Sequence, residues 1–153
     1  MIPLMGKQIK KRQGRKGRRD KRFKGKACLY LENTPFGNVV FLEQDRRSNF
    51  HLAFHPILEN NNFIQQNVRK AIMEPDKVFW SNTRYGSLVI YKYEGPVENP
   101  LKSQYDKLYT IVVLDLRNRL GRINPRKIQT AWQIDRIKET KRVYPKNGSY
   151  AQY

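Results

Sequence analysis

The chain contains two histidines, His51 and His55, and they stand four residues apart in the stretch "NFHLAFHP". On a helix that spacing puts both rings on one face; Ser48 or Asn49 would cap such a helix and Pro56 would end it. Two chemistries suit the pair, metal ligation and proton transfer. Zinc would want a third ligand, and the nearby acid Glu59 lies beyond Pro56, so ligation is the weaker reading. Proton transfer fits better, because an imidazole with an ordinary pKa of about 6.5 gives or takes a proton near neutrality. An inert, hydrogen-bonded role in the fold stays open for both rings.

Charge points to the substrate. The net charge is +18, from 31 Lys and Arg against 13 Asp and Glu, which calls for a polyanionic partner, nucleic acid first. Residues 1–26 hold twelve basic residues and a single acid, Asp20, so +11 of that charge sits in the first sixth of the chain. The run "KQIKKRQGRKGRRDKRFKGK", with Lys10, Lys11, Arg12, Arg15, Arg18 and Arg19 at its centre, has too few apolar residues to build a core. It is expected to be a disordered arm that orders along phosphates, or a solubilising tail. The other residues still carry +7, so the folded body should attract anions too.

RNA supplies the reaction that matches a histidine on a basic protein. A base takes the proton of the ribose 2′-hydroxyl, the oxygen attacks the adjacent phosphate, and an acid protonates the leaving 5′-oxygen. Cations steady the charge that develops on phosphate, and no cofactor is called for. Phosphate-loop, dinucleotide and zinc-hydrolase readings drop out because GxxxxGK[ST], GxGxxG, HExxH and paired CxxC motifs are missing. The lone Cys28 excludes an internal disulfide and reads as a small buried residue. No run approaches the about 18 apolar residues of a membrane span, and "MIPLMG" is too short for a signal peptide, so a soluble, cytoplasmic protein is expected.

These residues must be positioned by an α+β domain over residues 27–138, between the arm and a polar C-terminal tail at 139–153. "ACLYLE" and "NVVFLEQ", separated by "NTPFG", predict a hairpin with Pro35 and Gly37 in its turn. In "NNNFIQQNVRKAIMEPD", Phe63, Ile64, Val68, Ala71 and Ile72 recur at helical spacing, with asparagines to cap and Pro75 to stop. The period then switches to two: "KVFW", "SLVIYKYEG", "KLYTIVVLDLR" and "RKIQTAWQI" predict a mainly antiparallel four-stranded sheet with the hairpin and helices packed on it.

Several groups on that sheet can meet RNA. Arg84 and Tyr85 open one strand, and Tyr91, Lys92 and Tyr93 follow along it; alternation sets Tyr91 and Tyr93 on one face and Lys92 on the other, and aligns Thr130 with Trp132 on the last strand. Each also has a structural reading: sheet aromatics for the tyrosines, core for Trp132, an ordinary strand residue for Thr130. Which face is wet is not fixed by the pattern.

The succession "FHLAFHP", a helix, "IMEPDKVFW", "LVIYKY", "LYTIVVLDL" and "IQTAW" resembles the phage-associated branch of the barnase, EndoU, colicin E5/D and RelE-like nuclease superfamily, over residues 49–134. The resemblance implies a metal-independent ribonuclease whose active groups lie on the sheet. It sets His51 and His55 at the histidine motif, Lys92 or Tyr91 at the basic or aromatic strand position, and Thr130 with Trp132 at the closing motif. The arm and the tail have no counterpart in it.

The expected function is therefore an endoribonuclease, phage-encoded or toxin-type, acting on RNA such as tRNA or rRNA by 2′-hydroxyl transesterification, without cofactor or metal. His55 is the general base or acid and His51 its partner; Lys92 or Arg84 steadies phosphate, Thr130 bonds phosphate or ribose, and Trp132 or Tyr85 stacks a base. A toxin-type enzyme would bring an antitoxin or immunity protein as a second partner. The alternatives are a non-catalytic RNA- or DNA-binding packaging or ribosome-associated factor, and a structural component of a virion or toxin-immunity pair.

Overall fold

Residues 39–42, Val-Val-Phe-Leu, are apolar without alternation, the pattern of a strand buried on both faces. That strand sits inside the sheet. The computed structural model describes residues 26–48, 53–99, 101, 104–119 and 125–145. The basic arm to residue 25, with its six nominated lysines and arginines, and His51 lie outside them.

Seven strands form one sheet: β1 (Ala27–Thr34), β2 (Gly37–Leu42), β3 (Lys77–Trp80), β4 (Ser87–Asn99), β5 (Gln104–Arg119), β6 (Arg126–Ile134) and β7 (Arg142–Tyr144), in the order β1-β2-β6-β5-β4-β3-β7. The class is α+β, as the segregation of strands from helices implies, but the sheet is larger than four strands and mixed. The hairpin does not pack on the sheet; it extends it, because β2 pairs in parallel with β6 at Val39↔Arg126 and Val40↔Lys127. At the other edge β7, from the stretch read as a polar tail, pairs with β3, and Trp80 N–H bonds the carbonyl of Lys141 at 2.9 Å.

Helical structure is short. α1 (Glu43–Arg46) follows β2, a 3₁₀ turn covers Pro56–Glu59, and a π-helical stretch, Phe63–Val68, continues into α2 (Arg69–Met73). Asn60 Oδ1 accepts from the N–H groups of Asn62 and Phe63 at 2.9 and 3.3 Å, which satisfies amides that the helix start leaves over. All five residues of the expected helical stripe, Phe63, Ile64, Val68, Ala71 and Ile72, are buried.

The two faces of the sheet differ. One packs Leu88, Ile90, Val112, Leu114, Ile128 and Ala131 against the helices and the hairpin. The other gathers Phe79, Val89, Tyr91, Tyr109, Ile111 and Val113, with Trp132, Ile134 and Ile137 against them. The first is closed by helices. Among the described residues, the second is covered by the backbone that leads from β6 to β7 and by the His55 ring on Trp132, and the candidate site lies there.

Cys28 is half-buried, and its thiol donates to the carbonyl of Phe41 at 3.2 Å. Burial, and after it the neighbouring Glu43 carboxylate, pushes its pKa from 9.0 up to about 11. The reactive species is the thiolate, so alkylation by iodoacetamide at pH 8 should run about a hundredfold slower than for a free thiol. A rate equal to that of free cysteine would show that β1 and β2 do not hold the thiol in place.

Candidate active site

The pairing of β5 with β6 slips by one residue: Val113 faces Thr130, but Leu114 faces Ile128, so Gln129 is the extra residue of a β-bulge. Such bulges re-aim side chains and occur often beside active sites. Here consecutive residues act on the open face. Gln129 bonds Arg84 Nη1 at 3.0 Å and Asp115 at 3.2 Å, while Thr130 lines a cavity beside it.

That cavity, about 140 Å³, has Val89 and Val113 in its lining along with Thr130 and Trp132 from β6. Ser81, Thr83 and Arg84 reach it from the loop between β3 and β4, His55 from the segment ahead of the 3₁₀ turn, and Glu139 from the backbone leading to β7. It thus brings together His55, Arg84 and the β6 pair Thr130 and Trp132, from three parts of the chain that stand far apart in sequence. An imidazole, a guanidinium, hydroxyls and a carboxylate share one small volume.

Each group is held by identifiable forces. The His55 ring lies flat on Trp132, centroids 4.2 Å apart and planes 6° from parallel. An indole face carries negative potential and accepts a neutral or a protonated imidazole, so the stack can survive a proton transfer. Ser81 Oγ accepts from the N–H groups of Thr83 and Arg84 at 3.2 and 2.9 Å, which fixes the turn that presents the guanidinium.

Thr130 is 2 % exposed, and its hydroxyl oxygen has no hydrogen-bond partner among the described residues. An orphaned buried hydroxyl costs about 1–3 kcal/mol, and this one borders the cavity. Glu139 accepts a hydrogen bond from the Tyr91 phenol, whose oxygen in turn accepts from the Lys138 N–H at 3.1 Å. Burial first, and then the bond to Glu139, pushes the Tyr91 pKa well above its ordinary value near 10. The phenol is therefore a fixed donor at neutral pH.

The other nominated residues fall elsewhere. Tyr91 shares the site's face but is 1 % exposed, wedged edge-to-face between Phe79 and Tyr109, so it supports the site without reaching solvent. Lys92 points to the opposite face, where its ammonium bonds the carbonyl of Glu74 at 2.8 Å and Asp76 at 3.5 Å beyond the end of α2. It lines a separate cavity of about 310 Å³ with Pro35, Met73 and Tyr144. Tyr85 is fully out in solvent at the tip of the β3–β4 loop. Trp132 carries His55 on one face.

Sequence reasoning missed Glu139, Gln129, Ser81 and Thr83. The two hydroxyl residues had a signal, since "WSNTRYG" is a turn rich in side chains that bond their own backbone. Glu139 had none, as it lies in the charged stretch "KETK" with no period. Among the described residues no group of three or more His, Cys, Asp or Glu side chains is arranged to hold a metal ion, and no helix is long and apolar enough to cross a membrane.

Comparisons with protein-family models, with curated proteins and with solved structures find no match to this chain. The functional reading rests on the site.

Proposed function

We propose that the protein is an endoribonuclease that cleaves RNA by metal-independent 2′-hydroxyl transesterification, with the cavity under His55 as its active site. One observation carries the reading: the histidine, an arginine, a buried hydroxyl with no partner among the described residues and a carboxylate converge on one cavity of a protein with net charge +18. Positive charge draws in the RNA, and the cavity then has a group for each part of the reaction.

Glu139 accepts the proton of the 2′-hydroxyl, and the freed oxygen attacks phosphorus. The bond from phosphorus to the 5′-oxygen breaks, and that oxygen takes its proton from His55. The products are a 2′,3′-cyclic phosphate and a free 5′-hydroxyl, with one proton moved from His55 to Glu139 and returned through solvent. Arg84 faces the negative charge that grows on the phosphate oxygens, and Thr130 donates to one of them. Trp132 keeps the imidazole in plane.

The test is incubation of end-labelled single-stranded RNA with the protein in excess EDTA, followed by analysis of the new ends. Fragments ending in 2′,3′-cyclic phosphate and 5′-hydroxyl are expected. RNA that is bound yet stays intact would overturn the reading in favour of a nucleic-acid-binding factor without catalysis, and fragments with 3′-hydroxyl and 5′-phosphate ends would overturn it in favour of hydrolysis by water rather than by the 2′-hydroxyl.

A further inference from the structure

A tyrosine that is 88 % exposed stands directly beside the cavity's arginine. Its loop is not loose. Besides the two bonds to Ser81 Oγ, Ser81 N–H bonds the carbonyl of Ser87 at 2.9 Å, Ser87 N–H that of Arg84 at 3.1 Å, and Leu116 N–H that of Gly86 at 3.0 Å. Tyr85 is thus held out on a braced turn, with no apolar side chain among the described residues burying it.

Arg117, from β5, lies across the base of this turn, its guanidinium carbon 6.0 Å from the centre of the Tyr85 ring. Gly86 makes that approach possible. Its φ is +82°, and a Cβ there would sit 2.5 Å from Arg117 Cδ and 2.6 Å from Cγ. One face of the tyrosine is therefore backed by a cation and the rest of the ring is open, with Arg84 on the cavity side.

We propose that Tyr85, Arg84 and Arg117 form a subsite for one unpaired nucleobase of the RNA strand, adjoining the cavity: the base stacks on the open face of Tyr85, and the two guanidinium groups hold phosphates on either side of it. An aromatic ring between cations is the arrangement that binds single strands, where the π-face gives affinity and the cations track the backbone. A protein partner would want apolar neighbours, whereas this ring has arginines and the polar residues 82 and 83 around it. A paired base offers no free face to stack. The subsite thus selects single-stranded over duplex RNA. This deepens the ribonuclease reading and rests on it for the choice of RNA.

The test uses a fluorescent octanucleotide of 2′-O-methyl RNA, which has no 2′-hydroxyl and cannot be cleaved by the proposed chemistry, so binding is read whether or not the protein is a nuclease. By fluorescence polarisation at fixed salt, Tyr85→Ala should weaken binding roughly 5- to 100-fold, and Tyr85→Phe by no more than about twofold because a phenyl ring still stacks. Gly86→Ala, which displaces Arg117, should weaken binding and flatten its salt dependence by about one charge. The same sequence closed into a hairpin duplex should bind Tyr85→Ala and wild type alike. Equal affinity of wild type and Tyr85→Ala for the single strand, or no binding of it by wild type, would overturn the subsite. Cleavage of ordinary RNA that persists beside either result would leave the active-site reading standing alone.

Discussion

Replacing His55 with alanine is expected to slow RNA cleavage by about 10²–10⁴-fold while RNA binding stays within a few-fold, the range that a positioned general acid contributes. In the proposed mechanism His55 supplies a proton rather than affinity, and the phosphate contacts assigned there to Arg84 and the rest of the basic surface would remain. Alanine also strips a ring from Trp132, so the loss could come from a disturbed wall. The control is His55→Phe, which keeps a flat ring for the indole. If proton transfer is the role, both variants lose cleavage equally; a His55→Phe protein that still cleaves at near wild-type rate would show that the ring only packs. The stack itself is worth about 0.5–1.5 kcal/mol, so the alanine variant should fold.

That test exists because part of the site was readable in the chain. His55, Arg84, Thr130 and Trp132 were nominated for their chemistry, three of them also by the resemblance, and they reach one cavity. For Thr130 and Trp132 strand alternation made this legible: the segment "RKIQTAWQI" is β6 to the residue, so the two side chains could be assigned to one face. The features that remained hidden depend on neighbours. The bulge at Gln129 arises from the register of β6 on β5, which no local pattern encodes, and it brings Gln129 onto the same face as Thr130.

The same contrast runs through the sheet. β4 was read to Gly95 because Pro96 looks like a break, yet the strand continues to Asn99, with Pro96 set opposite Lys107 beyond a bulge at residues 93–95. β7 is three residues without periodicity, and its place depends on the open edge of β3. The parallel seam of β2 with β6 had a cue in the unbroken apolar run 39–42, which a hairpin with one wet face would not carry. Lys92 was assigned correctly to the face opposite Tyr91, and the structure adds what that face holds: the end of α2 and the acids Glu74 and Asp76, well away from His55.

Tyr91 gives the second large effect, because it joins the sheet to the backbone that carries Glu139. Tyr91→Phe keeps the ring between Phe79 and Tyr109 and removes only the oxygen, which leaves the Glu139 carboxylate and the Lys138 N–H each short of a partner. A hydrogen bond to a charged group is worth about 1.5–3 kcal/mol, so a loss of roughly that size is expected, or about 3–10 °C in melting temperature for a chain of this length. Cleavage should fall at least about tenfold, since a carboxylate displaced by an ångström is poorly placed for the 2′-hydroxyl. The pH dependence separates this bond from simple packing. The folded protein holds the phenol protonated above its ordinary value near 10, for burial first and Glu139 second, while the unfolded chain ionises at that value. The folded state then binds more protons than the unfolded state, so the stability from this group is complete below about pH 10 and drains away as pH rises further. Wild type should therefore lose melting temperature steeply above pH 10, Tyr91→Phe less steeply, and the two curves should converge. Parallel curves across that range would mean that the Tyr91 hydroxyl does not hold Glu139 in place.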